Sequence, residues 1–232
     1  MSYLSAQNIQ LISFDLDDTL WNGTEVLIKA EKAMLDWMAH NTPDIHQQIS
    51  RDELRARKMQ FIKNNLHLRH KVSLAREQFL ASLFREFNYE NATALAVQAY
   101  DSFYQARQQV TLFADIKATL LELKKQYRLM AITNGNANLE LTELKDVFEF
   151  CLHGENFNEP KPHGEIFAAA LLKAGVKNEN CLHVGDHPTH DMAGAFDAGL
   201  KTCWLKDGSR QWDQTFQPDL TISHIRELLL GK

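Results

Sequence analysis

Apolar positions along this chain follow two rhythms, and the change of rhythm divides the molecule. Short apolar runs fall at 9–14, 129–133, 151–153, 181–184, 202–205 and 220–222. Runs of that length with little polar alternation predict strands buried on both faces. Helical spacing lies between them. Asp115 is placed to cap a helix running to Gln126, with Ile116, Leu120, Leu121 and Leu123 toward one side. Further helices are expected over 140–148, 164–174, 190–198 and 223–230, with Gly175 and Gly199 as C-terminal stops. Strands alternating with such helices predict an α/β fold, a Rossmann-like parallel sheet with helices on both faces.

Residues 24–107 break the alternation. Val26, Leu27, Ala30, Ala33, Met34, Trp37 and Met38 recur at helical spacing. Leu54, Met59, Phe61 and Ile62 do so less cleanly. Phe79, Leu80, Leu83, Phe84 and Phe87 make a third set, and Leu95, Ala99, Phe103 and Tyr104 a fourth. Such stripes are ordinary core-facing stripes of a helical bundle. The expected organisation is an α/β core of residues 1–20 and 108–232, interrupted by an inserted α-helical bundle over 21–107.

Composition narrows the function classes. The chain has 232 residues, 44% hydrophobic, which suffices for a folded core. A net charge of -5 supplies no global attraction for nucleic acid. No apolar run approaches the roughly 18 residues of a membrane span. The start, MSYLSAQNIQ, lacks a basic region followed by an apolar stretch, so no signal peptide is expected. Cys151, Cys181 and Cys203 are sparse and unpaired in spacing, as in a reducing cytoplasm. Without secretion, the glycosylation triplets at Asn22 and Asn91 carry no weight.

The candidate chemistry lies where α/β sheets bind ligands, past the carboxyl ends of strands. After the first run come Asp15, Asp17, Asp18 and Thr19. Crowded carboxylates repel unless they sit at a surface turn or a cation neutralises them. Hard oxygen donors favour magnesium over zinc. After the second run come Thr133, Asn134 and Gly135, suited to phosphate oxygens, although such a triplet is also a common turn. Lys161 is pinned between Pro160 and Pro162, where its ammonium could offset negative charge or simply face solvent. Asp186 follows the fourth run, and Asp191 stands at the start of the next helix as a metal-supporting group or a cap. His183, His187 and His190 invite a zinc reading, but Pro188 interrupts them and no fourth ligand is evident. Each feature alone has an ordinary explanation; their order at successive strand ends does not.

These residues resemble the haloacid dehalogenase-like hydrolase superfamily over nearly the whole chain. The run DLDDTL from Asp15 resembles its first motif, Thr133-Asn134-Gly135 the second, Lys161 the third, and Gly185-Asp186 with Asp191 the fourth. The helical insert resembles the family's type 1 cap. The resemblance implies a magnesium-dependent phosphatase in which Asp15 attacks phosphorus and Asp17 handles the proton. It implies metal held by Asp15, Asp186 and the backbone carbonyl of Asp17, with Asp191 supporting the metal or Lys161. Thr133, Asn134 and Gly135 would hold phosphoryl oxygens. The family's dehalogenases work without metal and lack the second aspartate, so Asp17 points away from them.

The stretches FDLDDTLW, AITNGNA, LHVGDHPTHDMAGAFDAG and TCWLK resemble the family's phosphatases of flavin metabolism. That implies 5-amino-6-(5-phospho-D-ribitylamino)uracil or FMN as substrate. A general sugar- or nucleotide-phosphate phosphatase, a phosphomutase, a protein phosphatase and a non-catalytic sensor stay open. Trp21, His70 and Arg76 are candidate substrate-contacting residues, with Lys71 and Ser73 on the same stretch, although a solvated helix face fits that stretch as well. The expected partner is a small phosphorylated metabolite, not nucleic acid or membrane, with the chain acting as a monomer or homodimer.

Overall fold

A computed structural model describes residues 3–230. The chain forms two compact units, one of residues 1–23 and 111–232, the other of residues 24–110. In the first, strands β1 (Leu11–Phe14), β2 (Arg128–Thr133), β3 (Cys151–His153), β4 (Cys181–Gly185), β5 (Lys201–Leu205) and β6 (Leu220–Ile222) form one sheet. Its order is β3-β2-β1-β4-β5-β6, and every pairing is parallel. Every residue of β1 and β4 is buried, which is why, apart from Ser13 and His183, their sequences are apolar without alternation. Parallel strands need crossovers, and α7 (Ile116–Leu123) lies in the one from β1 to β2 and α8 (Gly164–Ala174) in the one from β3 to β4. The chain winds outward from β1 in one direction through β3, then restarts beyond β1 with β4. The β1–β4 junction is therefore the topological switch point. Phe14 pairs with Ala131 on one side and Val184 on the other, so β1, β2 and β4 end at one edge.

Local chemistry explains where helices fall short of the sequence pattern. Over 140–148 only a 3₁₀ turn forms, Leu139–Leu141. The Thr142 hydroxyl accepts from the Leu144 N–H at 3.2 Å, and Asp146 has φ 65°, so turn bonds replace helical ones. The expected helix over 190–198 is a π-helical turn, Pro188–Ala193, continued by α9 (Gly194–Asp197). His187 Nδ1 accepts from the N–H groups of Thr189 and His190, and the Met192 N–H reaches back five residues to His187 O. The last helix is a 3₁₀ segment, Ile225–Leu229. Helix α7 stops at Leu123, and Asp115, at φ 62°, makes no side-chain cap bond. Gly175 does close α8, at φ 65°.

The second unit comprises α2 (Gly23–Asn41), α3 (Pro43–Gln48), α4 (Arg51–Asn64), α5 (Val72–Glu86) and α6 (Ala92–Arg107). Met34, Met38, Phe79, Leu80, Phe84, Ala99 and Phe103 belong to its own apolar core. Leu27 and Met59 are exposed instead, so their stripes are narrower than the pattern suggested. The unit boundaries lie three residues past those expected at 20/21 and 107/108. Leu112 pairs with Trp21, and the Phe113 N–H bonds Leu20 O at 2.9 Å, which ties both crossings to the sheet unit. Among the described residues, no helix is long and apolar enough to cross a membrane.

Candidate active site

Asp15 is the first residue past β1, and its N–H donates to Val184 O at 2.9 Å. This bond carries the β1–β4 ladder one step beyond the strand and fixes the carboxylate at the switch point. Lys161 meets it there. Its Nζ donates to Asp15 Oδ1 at 2.7 Å, Asp191 Oδ1 at 2.6 Å and Ile132 O at 2.8 Å. All three ammonium donors are thus used, within a side chain that is 2% exposed. Burial alone would lower the Lys161 pKa, but Asp15 and Asp191 overcome it and hold the ammonium above its ordinary range.

Asn134 explains how the lysine is aimed. Its Nδ2 donates to Lys161 O, and its Oδ1 accepts from Lys161 N, both at 2.9 Å. Gly154 packs so closely that a Cβ there would lie 2.8 Å from Asn134 Oδ1. The amide expected to bind phosphate therefore clamps Lys161 instead. Thr133 is buried and accepts from the Gly135 N–H at 3.0 Å, so that N–H is committed to a turn. Its hydroxyl proton remains available for an anion.

Asp191 is buried and fully engaged. Besides Lys161, His183 Nε2 lies 3.3 Å from Oδ1, and the His187 N–H donates to Oδ2 at 3.0 Å. A Cβ on Gly185 would come within 2.4 Å of this carboxylate, so only glycine fits there. Burial pushes Asp191 up, yet Lys161 and then His183 hold it well below the usual carboxylate range. These bonds suit a group that orients Lys161 better than a metal ligand. His183 in turn lies 2.8 Å from Ser13 Oγ through Nδ1. Burial lowers its pKa. With Nδ1 facing Ser13 and Nε2 facing Asp191, neither ring nitrogen is open to a zinc ion. His187 and His190 stack at 3.9 Å between ring centroids, with His187 Nδ1 already accepting two N–H groups.

Asp186 follows β4. Thr19 Oγ1 donates to its Oδ1 at 3.3 Å, Arg210 Nε to its Oδ2 at 2.8 Å, and Trp204 Nε1 to its backbone O at 2.9 Å. Burial and Asp191 raise its pKa to about 6 despite Arg210. Asp17 is held by Trp21, whose Nε1 donates to Oδ1 at 2.8 Å. A Cβ on Gly23 would sit 2.7 Å from Asp17 Cβ, so glycine is needed there. Trp21 is fully buried; it positions Asp17 and does not line an entrance. Asp18 is structural, at φ 60° with Oδ1 accepting from the Gly23 N–H at 2.9 Å.

The other two expected substrate contacts lie in the helical unit. His70 accepts a bond from Arg69, and the Arg76 guanidinium sits 3.6 Å from the centroid of the Phe103 ring. Sequence reasoning missed Ser13, Trp204 and Arg210 and left His183 without a role. The signal for His183 was a histidine inside an all-apolar strand; Arg210 lies in an irregular segment that offered none.

The donor set fits a hard divalent cation. Oxygen atoms of Asp15, Asp186 and Asp191 lie within 4.8 Å of one another, and no histidine or cysteine joins the cluster among the described residues. Burial raises the Asp15 pKa, Asp191 and Asp186 add to it, and Lys161 only partly opposes them. A further cation would oppose that rise and favour the charged carboxylate. With Asp191 committed to Lys161, His183 and the His187 N–H, Asp15 and Asp186 are the side chains that fit it.

A switch-point carboxylate, a buried lysine and two further aspartates on a parallel sheet define a class of hydrolase. Residues 9–199 match the family model for haloacid dehalogenase-like hydrolase, and the chain belongs to that family. It is 31% identical to the 5-amino-6-(5-phospho-D-ribitylamino)uracil phosphatase YigB of Escherichia coli (strain K12), covering 97% of each chain. It is 29% identical to pyrophosphatase PpaX of Bacillus anthracis (strain A0248), over 96% of this chain and 95% of that one. Among solved structures, one described as 2-haloacid dehalogenase from Pseudomonas syringae pv. Tomato DC3000 matches with TM-score 0.89 and 33% identity. That match covers 96% of this chain and 98% of the other. The family and its phosphatase-named relatives place the chain among hydrolases of the phosphatase kind.

Proposed function

We propose that the protein is a magnesium-dependent phosphatase of small phosphate monoesters that works through an aspartyl-phosphate on Asp15. The observation that carries this reading is the buried Lys161 bridge between Asp15 and Asp191 beside Asp186, with Asp17 held two residues from Asp15. Uncatalysed monoester hydrolysis is among the slowest biological reactions, so alignment and charge neutralisation are what the site must supply. An Asp15 carboxylate oxygen attacks phosphorus as the bond to the leaving oxygen breaks. Asp17 gives that oxygen a proton. Asp17 then takes a proton from water, which attacks phosphorus and releases Asp15 and phosphate. Lys161, fixed by Asn134 and Asp191, holds Asp15 in place and offsets phosphoryl charge. Thr133 donates its hydroxyl proton to a phosphoryl oxygen. Magnesium, held by Asp15, Asp186 and the Asp17 backbone carbonyl, would add positive charge against the phosphoryl oxygens.

The substrate we favour is a phosphorylated flavin precursor, 5-amino-6-(5-phospho-D-ribitylamino)uracil, with FMN as a further candidate. Support comes from the near-full-length similarity to the phosphatase of that name. The reaction is tested by phosphate release from p-nitrophenyl phosphate with magnesium and with EDTA. Activity surviving both chelation and Asp15→Asn refutes the mechanism. Comparing the ribitylaminouracil phosphate and FMN with other sugar and nucleotide phosphates, by kcat/KM, tests the substrate.

The similarity to the haloacid dehalogenase structure supports a second reading, hydrolysis of a carbon–halogen bond. The engaged Asp17 and the cation-demanding carboxylate cluster argue against it. Halide release from 2-chloropropionate without added metal would favour it.

A further inference from the structure

Arg210 occupies a place that nothing in the proposed reaction assigns. Its Nε donates to Asp186 Oδ2 at 2.8 Å, while its side chain is 37% exposed and that of Asp186 only 3%. The arm therefore reaches inward from solvent to a carboxylate that is otherwise closed off. The segment presenting it is built from bonds that do not involve its guanidinium. Asp207 Oδ1 accepts from the Ser209 N–H at 2.8 Å and from Ser209 Oγ at 2.7 Å, around Gly208 at φ 90°. Trp212 Nε1 donates to Phe216 O at 2.9 Å, and the Trp212 ring packs 5.1 Å from that of Trp204. The segment is thus anchored on both sides of Arg210 by bonds that do not use its guanidinium, which turns to Asp186.

We propose that Arg210 is a resident counter-cation of Asp186 that competes with the divalent cation and lowers the site's affinity for it. This inference rests on the metal-dependent reading above. In that reading Asp186 must give an oxygen to the metal. A fixed positive charge on the same buried carboxylate opposes the arrival of a second cation. Arg210 stabilises Asp186 until metal binds, and its partly exposed side chain can then turn toward solvent. It is a positioning residue that acts through Asp186 and does not touch the reacting atoms.

The test is calorimetric titration of the full chain with magnesium chloride at pH 8, without substrate. Wild type, Arg210→Gln, Arg210→Lys and Asp186→Asn are compared. Arg210→Gln keeps a hydrogen-bond donor and removes the charge; the expected result is a roughly tenfold lower dissociation constant. Arg210→Lys retains the charge and is expected to stay near wild type. Asp186→Asn is expected to abolish binding. Magnesium binding that depends on Asp186 but is equal or weaker in Arg210→Gln overturns the competition and leaves the metal reading standing. Absence of Asp186-dependent binding in every chain overturns the metal reading, and this inference with it.

Discussion

The two units of the chain handle charge in opposite ways. In the sheet unit the decisive charges are buried and paired: Lys161 with Asp15 and Asp191, at side-chain exposures of 2%, 13% and 1%. In the helical unit, pairs such as Arg57 with Glu53 and Glu86, and Lys29 with Glu25, lie on the surface. Exposed pairs of that kind contribute little, typically about 0–1 kcal/mol each. That unit is held by its apolar cluster of Phe79, Phe84, Phe103 and their neighbours. A buried charge network is weak evidence for stability, because desolvation offsets much of the attraction. Its presence at the strand ends is explained by chemistry.

Breaking the network should therefore affect rate and stability together, whereas breaking the helical surface should affect neither strongly. The largest effect is expected from Asp15→Asn, which removes the nucleophile: kcat on p-nitrophenyl phosphate should fall by roughly 10⁴-fold or more. Lys161→Met leaves Asp15 and Asp191 buried without their cation. It should lower unfolding free energy by about 3–5 kcal/mol, read from urea midpoints at constant slope. A loss under about 1 kcal/mol would mean that water reaches these carboxylates.

His183 sharpens the comparison through pH. Its folded pKa lies below the ordinary 6.5 because of burial. Between the two values the unfolded chain binds a proton that the folded chain refuses. Its contribution is therefore complete above about pH 6.5 and is lost as pH falls toward the depressed folded value. Asp186, raised to about 6, runs the other way, since folding favours its protonated form. The useful quantity is thus the difference between wild type and His183→Gln. Wild type should lose more stability than the variant between pH 7.5 and pH 5, and parallel curves would remove His183 from the account.

The smallest effect belongs to the helical unit. Arg76→Ala removes the guanidinium over Phe103 and should cost about 0.5–2 kcal/mol of stability. kcat on p-nitrophenyl phosphate should stay unchanged, because that substrate carries little beyond its phosphoryl group to recognise. A large kcat loss without loss of stability would join Arg76 to the chemistry.

The sheet was legible in sequence because parallel strands buried on both faces are mostly apolar, as in 11–14 and 181–184, where Ser13 and His183 are the exceptions. The order of Asp15, Lys161 and Asp186 was legible because ligand groups collect where such strands end. Partner choice was not legible. Asn134 has the chemistry of a phosphate ligand, and only its two bonds to the Lys161 backbone show that it holds the lysine. Trp21 read as a substrate contact until its burial and its bond to Asp17 placed it inside. Helical spacing over 140–148 gave way to the hydroxyl of Thr142 and the left-handed Asp146, local bonds that periodicity does not register. Arg210 lies in an irregular segment, where only three-dimensional proximity reveals its carboxylate.

The central claim is that Asp15 carries the phosphoryl group. It is tested most directly in Asp17→Asn with p-nitrophenyl phosphate and magnesium, since that leaving group departs without needing a proton. The variant should release p-nitrophenol and stall before water attack, leaving a phosphoryl group after acid quench on the peptide that contains Asp15. Phosphoryl label on any other residue, or phosphate released in step with p-nitrophenol and no label on Asp15, would contradict the account.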